Sequence, residues 1–364
     1  MSLPPVTVPT GAIRYNTESN KMECFDGTKW WQVAVSSHDL GGNGEASTAP
    51  TGNSADQVVG ARGLIGGGDS SKVIDYINIA SAGNSLDFGD LVEITYQQAS
   101  FGSITRAIWT GGAGPVTNPN DMIQYVTFAS IGDTIDFGNL TTARRNCTGA
   151  SNQTRGISAG GGNQPETTVY NTIDYVTIAS TGDAKDFGDL TRTNMVIAGG
   201  INSPIRGVFA GGSGTAPSYN ETNVIDYVTI PTLGNAVDFG DLSLATAAPA
   251  GCSNTVRGII AGGASNLFPG NVMTNDISYI NIASTGNPQN FGELTDARNF
   301  GNSGGMSSST RGVFACGYIA PAPSATQNNI EYITLATLGN AVDFGDAKVA
   351  ERYRASVSNA HGGL

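Results

Sequence analysis

Six near-copies of one phrase recur along this 364-residue chain, centred on Phe88, Phe137, Phe187, Phe239, Phe291 and Phe344 in an Asp-Phe-Gly-like setting. The steps between these Phe residues are 49, 50, 52, 52 and 53. An Arg, a Gly-containing pair and a Tyr accompany each Phe in constant order. A unit of this size cannot bury its faces alone, so such copies gain a core only by stacking on one another. Length by itself would allow two or three domains. The repeat overrules that: one assembly of about 300 residues buries roughly 75% of its unfolded surface and needs no metal or disulfide.

The third copy shows what one unit is. Residues 140–152 are rich in small side chains, as suits an innermost strand converging on a narrow axis. The run 155–161 reads as a second strand ending in Gly160-Gly161, where backbone approach or positive φ excludes a Cβ. That pair recurs as Gly67-Gly68, Gly111-Gly112, Gly211-Gly212 and Gly262-Gly263, and the last copy departs with Cys316-Gly317. A third strand, 173–178, is apolar on both faces, so the sheet is covered on both sides. Gly182 then makes a turn, and it and its counterparts Gly83, Gly132, Gly234, Gly286 and Gly339 all precede Asn or Asp. The outer strand carries Asp186-Phe187-Gly188, with Phe packed between units. Four short strands in each of six copies predict an all-β, six-bladed β-propeller with four-stranded blades. The first blade starts at Arg62 with no innermost strand, and residues 350–359 read as one with no blade behind it. The tail is therefore expected to complete blade one and close the ring.

The blade resembles a kelch repeat. The Gly pair matches, as do Tyr76, Tyr125, Tyr175, Tyr227, Tyr279 and Tyr332 in the third strand. Phe replaces the kelch Trp throughout, and the Ala-Arg phrase that opens the next blade survives as Ala143-Arg144 and Ala297-Arg298. The resemblance covers residues 62 to about 361 and implies architecture, not one activity.

Composition narrows the function classes. A net charge of −12 opposes nucleic acid and bare anionic lipid. With 39% hydrophobic residues the chain is expected to fold despite 50 Gly. No segment has the length to cross a bilayer as an apolar helix and none reads as a signal peptide, so no membrane insertion is expected. Cys24, Cys147, Cys252 and Cys316 occupy non-equivalent positions and are expected to be buried free thiols. Asp-Phe-Gly resembles the magnesium-binding phrase of protein kinases, but it occurs five times without a catalytic loop. Arg62, Arg106, Arg155, Arg206, Arg257 and Arg311 open the second strands, and each is expected to pair with an Asp or a carbonyl of its own or the next blade. The two His, His38 and His361, cannot furnish a galactose-oxidase-type copper site or a Ser–His–Asp triad. Sialidase-type Asp boxes are absent as well. No catalytic residue, metal or cofactor is expected.

What varies is the loop after each Gly pair, with lengths of 5, 10, 11, 12, 13 and 12 residues from blade one to blade six. All six leave the same face of a propeller. They carry Asn118, Tyr170, Tyr219, Asn220, Asn266, Phe268 and Tyr318, and variable aromatic and amide loops on a rigid scaffold make a candidate ligand-binding surface.

Residues 1–35 form a separate module, 36–60 a Gly/Ser/Thr-rich linker, and 61–364 the propeller. In the first, two strand-like runs flank residues 18–20 and a further turn follows at Asp26-Gly27, which predicts a β-hairpin. It is too small to stand alone, so Ile13, Tyr15, Phe25, Trp30 and Trp31 are candidate partner or oligomer contacts. Gly11, Ile13–Thr17, Glu23, Phe25–Gly27 and Trp30 resemble a short module of bacteriophage virion proteins, in particular fibres and appendages of T4-like marine phages. That resemblance implies a non-enzymatic virion component assembled in the host cytoplasm, joined to other virion proteins by its N-terminal module and trimeric. The propeller would meet a host-surface glycan or an outer-membrane protein. A cellular kelch-type scaffold and a carbohydrate-active enzyme are the alternatives.

Overall fold

In the computed structural model, residues 10, 12–16, 21–25, 27–32, 61–265, 272–301, 305–320 and 325–364 are described, and among them there is no helix. The chain divides into two units, Met1–Val59 and Gly60–Leu364. The larger is a six-bladed β-propeller of four-stranded antiparallel sheets. In blade three the strands, from the axis outward, are Thr148–Ser151, Arg155–Ala159, Thr172–Thr177 and Lys185–Asp189. In blade one the innermost strand is Ala355–Ser358, paired antiparallel with Arg62–Gly66 so that Ala355 faces Gly66 and Ser358 faces Gly63. The C-terminal strand closes the ring, as expected from the orphan tail.

Hydrophobic burial lies between blades rather than within them. At the interface of blades three and four, Ile173 and Phe187 pack against Phe209, Val228 and Ile230, with Tyr175 at the margin. Each of the six interfaces has such a cluster. The Tyr175 and Phe187 rings meet edge to face at 6.1 Å, and the other five copies repeat the contact.

The six second-strand arginines are clips between blades. The Arg155 guanidinium lies 4.7 Å from the Tyr175 ring centroid, and its Nη1 donates to the Ile230 carbonyl of the next blade at 2.6 Å. The others act alike, from Arg62 onto Phe128 round to Arg311 onto Ile79.

At the rim, the Gly-Asn/Asp turn and the Asp-Phe-Gly phrase prove to be two halves of one contact. The Gly182 N–H donates to the Phe137 carbonyl of the preceding blade at 2.7 Å, and the Asp183 carboxylate accepts the Asn139 N–H at 2.9 Å. A Cβ on Gly138 would stand 2.5 Å from the Gly182 carbonyl, so only Gly allows the approach. Every outer strand thus has its free edge covered by a neighbour. Gly83 and Asn84 complete the circuit on Phe344 and Asp346.

Buried ion pairs tie the segments that enter the innermost strands to the third strands in three blades: Arg144–Asp174 at 3.1 Å, Arg354–Asp75 at 2.7 Å, and Arg298–Glu331. Where Thr95 and Thr246 replace the Arg, Gln124 and Ser278 replace the acid. Blade four keeps Asp226 although Asn194 stands at the Arg position; burial raises the Asp226 pKa, and Thr191 Oγ1 donates to it at 2.7 Å. A buried acid without its cation is costly, which explains why blades two and five lack the acid along with the Arg. Cys147, Cys252 and Cys316 are free and buried; the Cys24 side chain lies outside the described residues.

In the smaller unit Ile13–Asn16 pairs with Lys21–Phe25, and Trp30–Gln32 adds a third strand, one more than the hairpin expected. The Phe25 and Trp30 rings are 5.2 Å apart, Arg14 lies 4.2 Å over Trp30, and Ile13 is exposed. Tyr15 and Trp31 sit in strands, and their side chains lie outside the described residues.

Truncation after residue 348 removes the closing strand and strands Asp75 without Arg354, a loss of roughly 3–5 kcal/mol from that pair alone. Thermal melting of the truncated chain is expected at a markedly lower temperature in a single transition. An unchanged melting curve would show that the ring does not depend on its closure.

Candidate functional site

All six innermost strands start on the face that carries the variable loops. Six residues after the Leu, or Ala347, that ends each outer strand, the backbone turns left-handed in five blades: Gln97, Asn146, Val196, Ala248 and Tyr353 have φ of 58, 58, 56, 58 and 60°. These positions are joined blade to blade. The N–H of Asn146 donates to the carbonyl of Gln97, Val196 to Asn146, Ala248 to Val196, Phe300 to Ala248 and Gln97 to Tyr353, over 2.8–3.3 Å. The result is a collar of backbone hydrogen bonds around the axis. All five left-handed residues line one cavity of about 330 Å³, which places that cavity on the axis at the loop face.

Its lining is mixed. Met195, Val196 and Ala248 form an apolar part, with Val169 and Tyr219 packed against them. Tyr219, Tyr318 and Tyr353 supply aromatic rings, and Gln97, Asn146 and Asn299 supply amides. Glu166 reaches in from the blade-three loop. Its Oε1 accepts from Arg145 Nη2 at 2.6 Å and Asn146 Nδ2 at 2.9 Å, and its Oε2 accepts from the Tyr219 hydroxyl at 2.7 Å. Burial, reinforced by this carboxylate, pushes the Tyr219 pKa up to about 12, so Tyr219 stays a phenol and a donor. On another side Arg352 Nε donates to Asp69 at 2.5 Å, and its guanidinium lies 5.5 Å from the Tyr318 ring and 4.9 Å from that of Tyr353.

Below the collar the axis is filled. A Cβ on Gly199 would come 2.6 Å from the Gly149 carbonyl and one on Gly251 2.1 Å from that of Gly199, so neighbouring innermost strands touch backbone to backbone. The strands then end in a ring of hydroxyls: Ser253 Oγ donates to Asn202, Ser307 to Ser253 and Ser358 to Ser307, each onto a carbonyl at 2.7–2.8 Å. At Asn202 an amide takes the place of the hydroxyl and accepts the Ser151 N–H at 3.1 Å, whereas Gly102 has no side chain, and there the C-terminal tail inserts. His361 Nε2 lies 3.0 Å from the Gly102 carbonyl, and Nδ1 accepts the Gly363 N–H at 3.1 Å. These partners assign a neutral imidazole protonated on Nε2, and burial lowers its pKa to about 4.

Of the residues picked from sequence, Tyr219 and Tyr318 line the axial cavity. Tyr170 is half-buried beside it in sequence only, donating its N–H to the Gly161 carbonyl. Asn118 and Asn220 are exposed on the loops, and Asn266 and Phe268 lie outside the described residues. Sequence reasoning missed Gln97, Asn146, Glu166, Arg352 and Tyr353. A signal existed for three of them: the repeat position reads Gln, Asn, Val, Ala, Phe and Tyr round the ring, variable where the rest of the innermost strand is small. A second cavity, of about 340 Å³, lies along Leu242, Thr246, Ser278 and Asn290. It lies in blade five, where Thr246 and Ser278 stand at the positions of an Arg–acid pair. Among the described residues no three His, Cys, Asp or Glu side chains group to hold a metal. No protein-family model matches the chain, and no curated protein matches it.

The His361 shift has a definite sign. Between about pH 6.5 and 4 the unfolded chain binds a proton that the folded one refuses, so stability falls as pH drops through that window and levels off below it. The loss is on the order of 3 kcal/mol. Melting temperature followed from pH 7 to 4 should drop more in the native chain than in His361→Asn; parallel curves would show that the buried imidazole does not govern the response.

Proposed function

We propose that this chain is a non-enzymatic structural protein of a bacteriophage virion, a fibre, appendage or decoration component, and that its propeller serves adhesion to the host surface. The axial cavity carries the adhesion part of this reading. It combines aromatic rings, amides and an apolar patch at repeat positions that differ from blade to blade, on a frame of rim contacts made at all six junctions and collar bonds made at five. Its one inward carboxylate, Glu166, is engaged through both oxygens by Arg145, Asn146 and Tyr219, which suits a fixed wall better than proton transfer. Within the propeller class, the Gly pair and third-strand Tyr support a kelch-type blade.

The virion part rests on the N-terminal residues. Their sheet has only three short strands and leaves Ile13 exposed, which supports docking onto another virion protein or a trimeric arrangement of copies. Trimeric, repeated display lets weak single sites suffice, because linked sites gain avidity by about 10²–10⁴.

Antibody against the full-length chain, applied to purified particles under the electron microscope, is expected to decorate a fixed position on each particle, and the purified chain to elute as a trimer. A monomer absent from particles would overturn the proposal.

A further inference from the structure

We infer that the axial cavity binds the terminal residue of an uncharged glycan, end-on, from the loop face. This rests on the adhesion reading above and specifies its ligand. Three observations carry it.

The first is charge balance. The cations at the site already have carboxylate partners, Arg145 with Glu166 at 2.6 Å and Arg352 with Asp69 at 2.5 Å. A phosphate, sulfate or sialic acid carboxylate would have to break one of these pairs and leave an acid stranded, and a cationic ligand would have to strip Glu166 from three donors. Either exchange is unfavourable in a half-buried site. A neutral ligand disturbs neither pair.

The second is the lining. A pyranose has one face of C–H groups and a margin of hydroxyls. The cavity offers Met195, Val196 and Ala248 as an apolar surface, Tyr318 and Tyr353 as rings, and the Asn299 amide as a hydrogen-bonding group. Its 330 Å³ lies at the small end of ligand pockets, enough for a sugar residue and too little for a folded peptide motif.

The third is that the cavity is blind. Beneath the collar the innermost strands touch through Gly149, Gly199 and Gly251, the space among Ser100, Ser307 and Ser358 is about 20 Å³, and the tail at His361 stops the far end. A polysaccharide cannot thread through the disc; only a chain end can enter.

The test uses the full-length protein. Saturation-transfer NMR and calorimetry with the methyl glycosides of glucose, galactose, mannose, N-acetylglucosamine and N-acetylgalactosamine are set beside N-acetylneuraminic acid and inorganic phosphate. At least one neutral glycoside is expected to bind and the two anions are not. Tyr318→Ala should weaken binding about tenfold and Ala248→Phe, which fills the cavity, should abolish it, with melting temperature kept; Tyr170→Ala should change nothing. Should Ala248→Phe fail to fold, Tyr318→Ala decides alone. Binding of an anion in preference, or of none of the five glycosides, overturns the inference. Adsorption of native protein to host cells separates the levels. If native and both cavity variants adsorb equally, the site is wrong and adhesion stands; if nothing adsorbs although particles carry the protein, adhesion itself is wrong.

Discussion

Every outer strand of this ring would present a free row of N–H and C=O groups, and what satisfies that row is a turn from the neighbouring blade. The Gly N–H onto the Phe carbonyl and the Asx side chain onto the following amide recur at all six junctions, including the one that joins the last blade to the first. An exposed sheet edge invites aggregation. Here edge protection and blade-to-blade attachment are the same bonds, which is why Gly stands on both sides of the contact and why the motif is spelled six times.

Closure then fixes the centre. Once the rim, the Arg clips and the interface cores set the spacing of the blades, the innermost strands are held close enough for their starting residues to bond to one another in a collar. Holding five consecutive blades in the same left-handed turn costs backbone energy that the surrounding contacts must offset. In return, five side chains of any chosen type project into one axial cavity. The frame and the variable set are thus separable: Gln97, Asn146, Val196, Ala248 and Tyr353 differ freely because the hydrogen bonds that hold them belong to the backbone. Glu166 shows the complementary device, a loop carboxylate drawn inward and locked by three donors.

Much of this was legible in the chain. The period, the Gly pair, the alternation around Tyr175 and the orphan strand 350–359 led to a six-bladed ring with the right closure, because each is a local pattern multiplied by six. The Arg clips were readable as structural for the same reason, although not which carbonyl they meet. The site was only partly legible. Tyr219 and Tyr318 stood out as aromatics in variable loops, yet Asn118 and Asn220 did so equally and lie out in solvent. A loop residue's address depends on how the loop folds back, which no repeat encodes. Arg354 was hidden for another reason: it takes the role of Arg144 from three positions further along, and Glu351 stands where that Arg would be. Only the three-dimensional position of Asp75 reveals the equivalence.

Native-state hydrogen exchange at the turn amides of Gly83, Gly132, Gly182, Gly234, Gly286 and Gly339 tests the rim contact most directly. A ring held as one unit by these bonds predicts that all six exchange with the same opening free energy as the third-strand amides, Gly83 included, although its partner lies in the last blade. A graded series around the ring, with Gly83 opening far more easily than the rest, would contradict it.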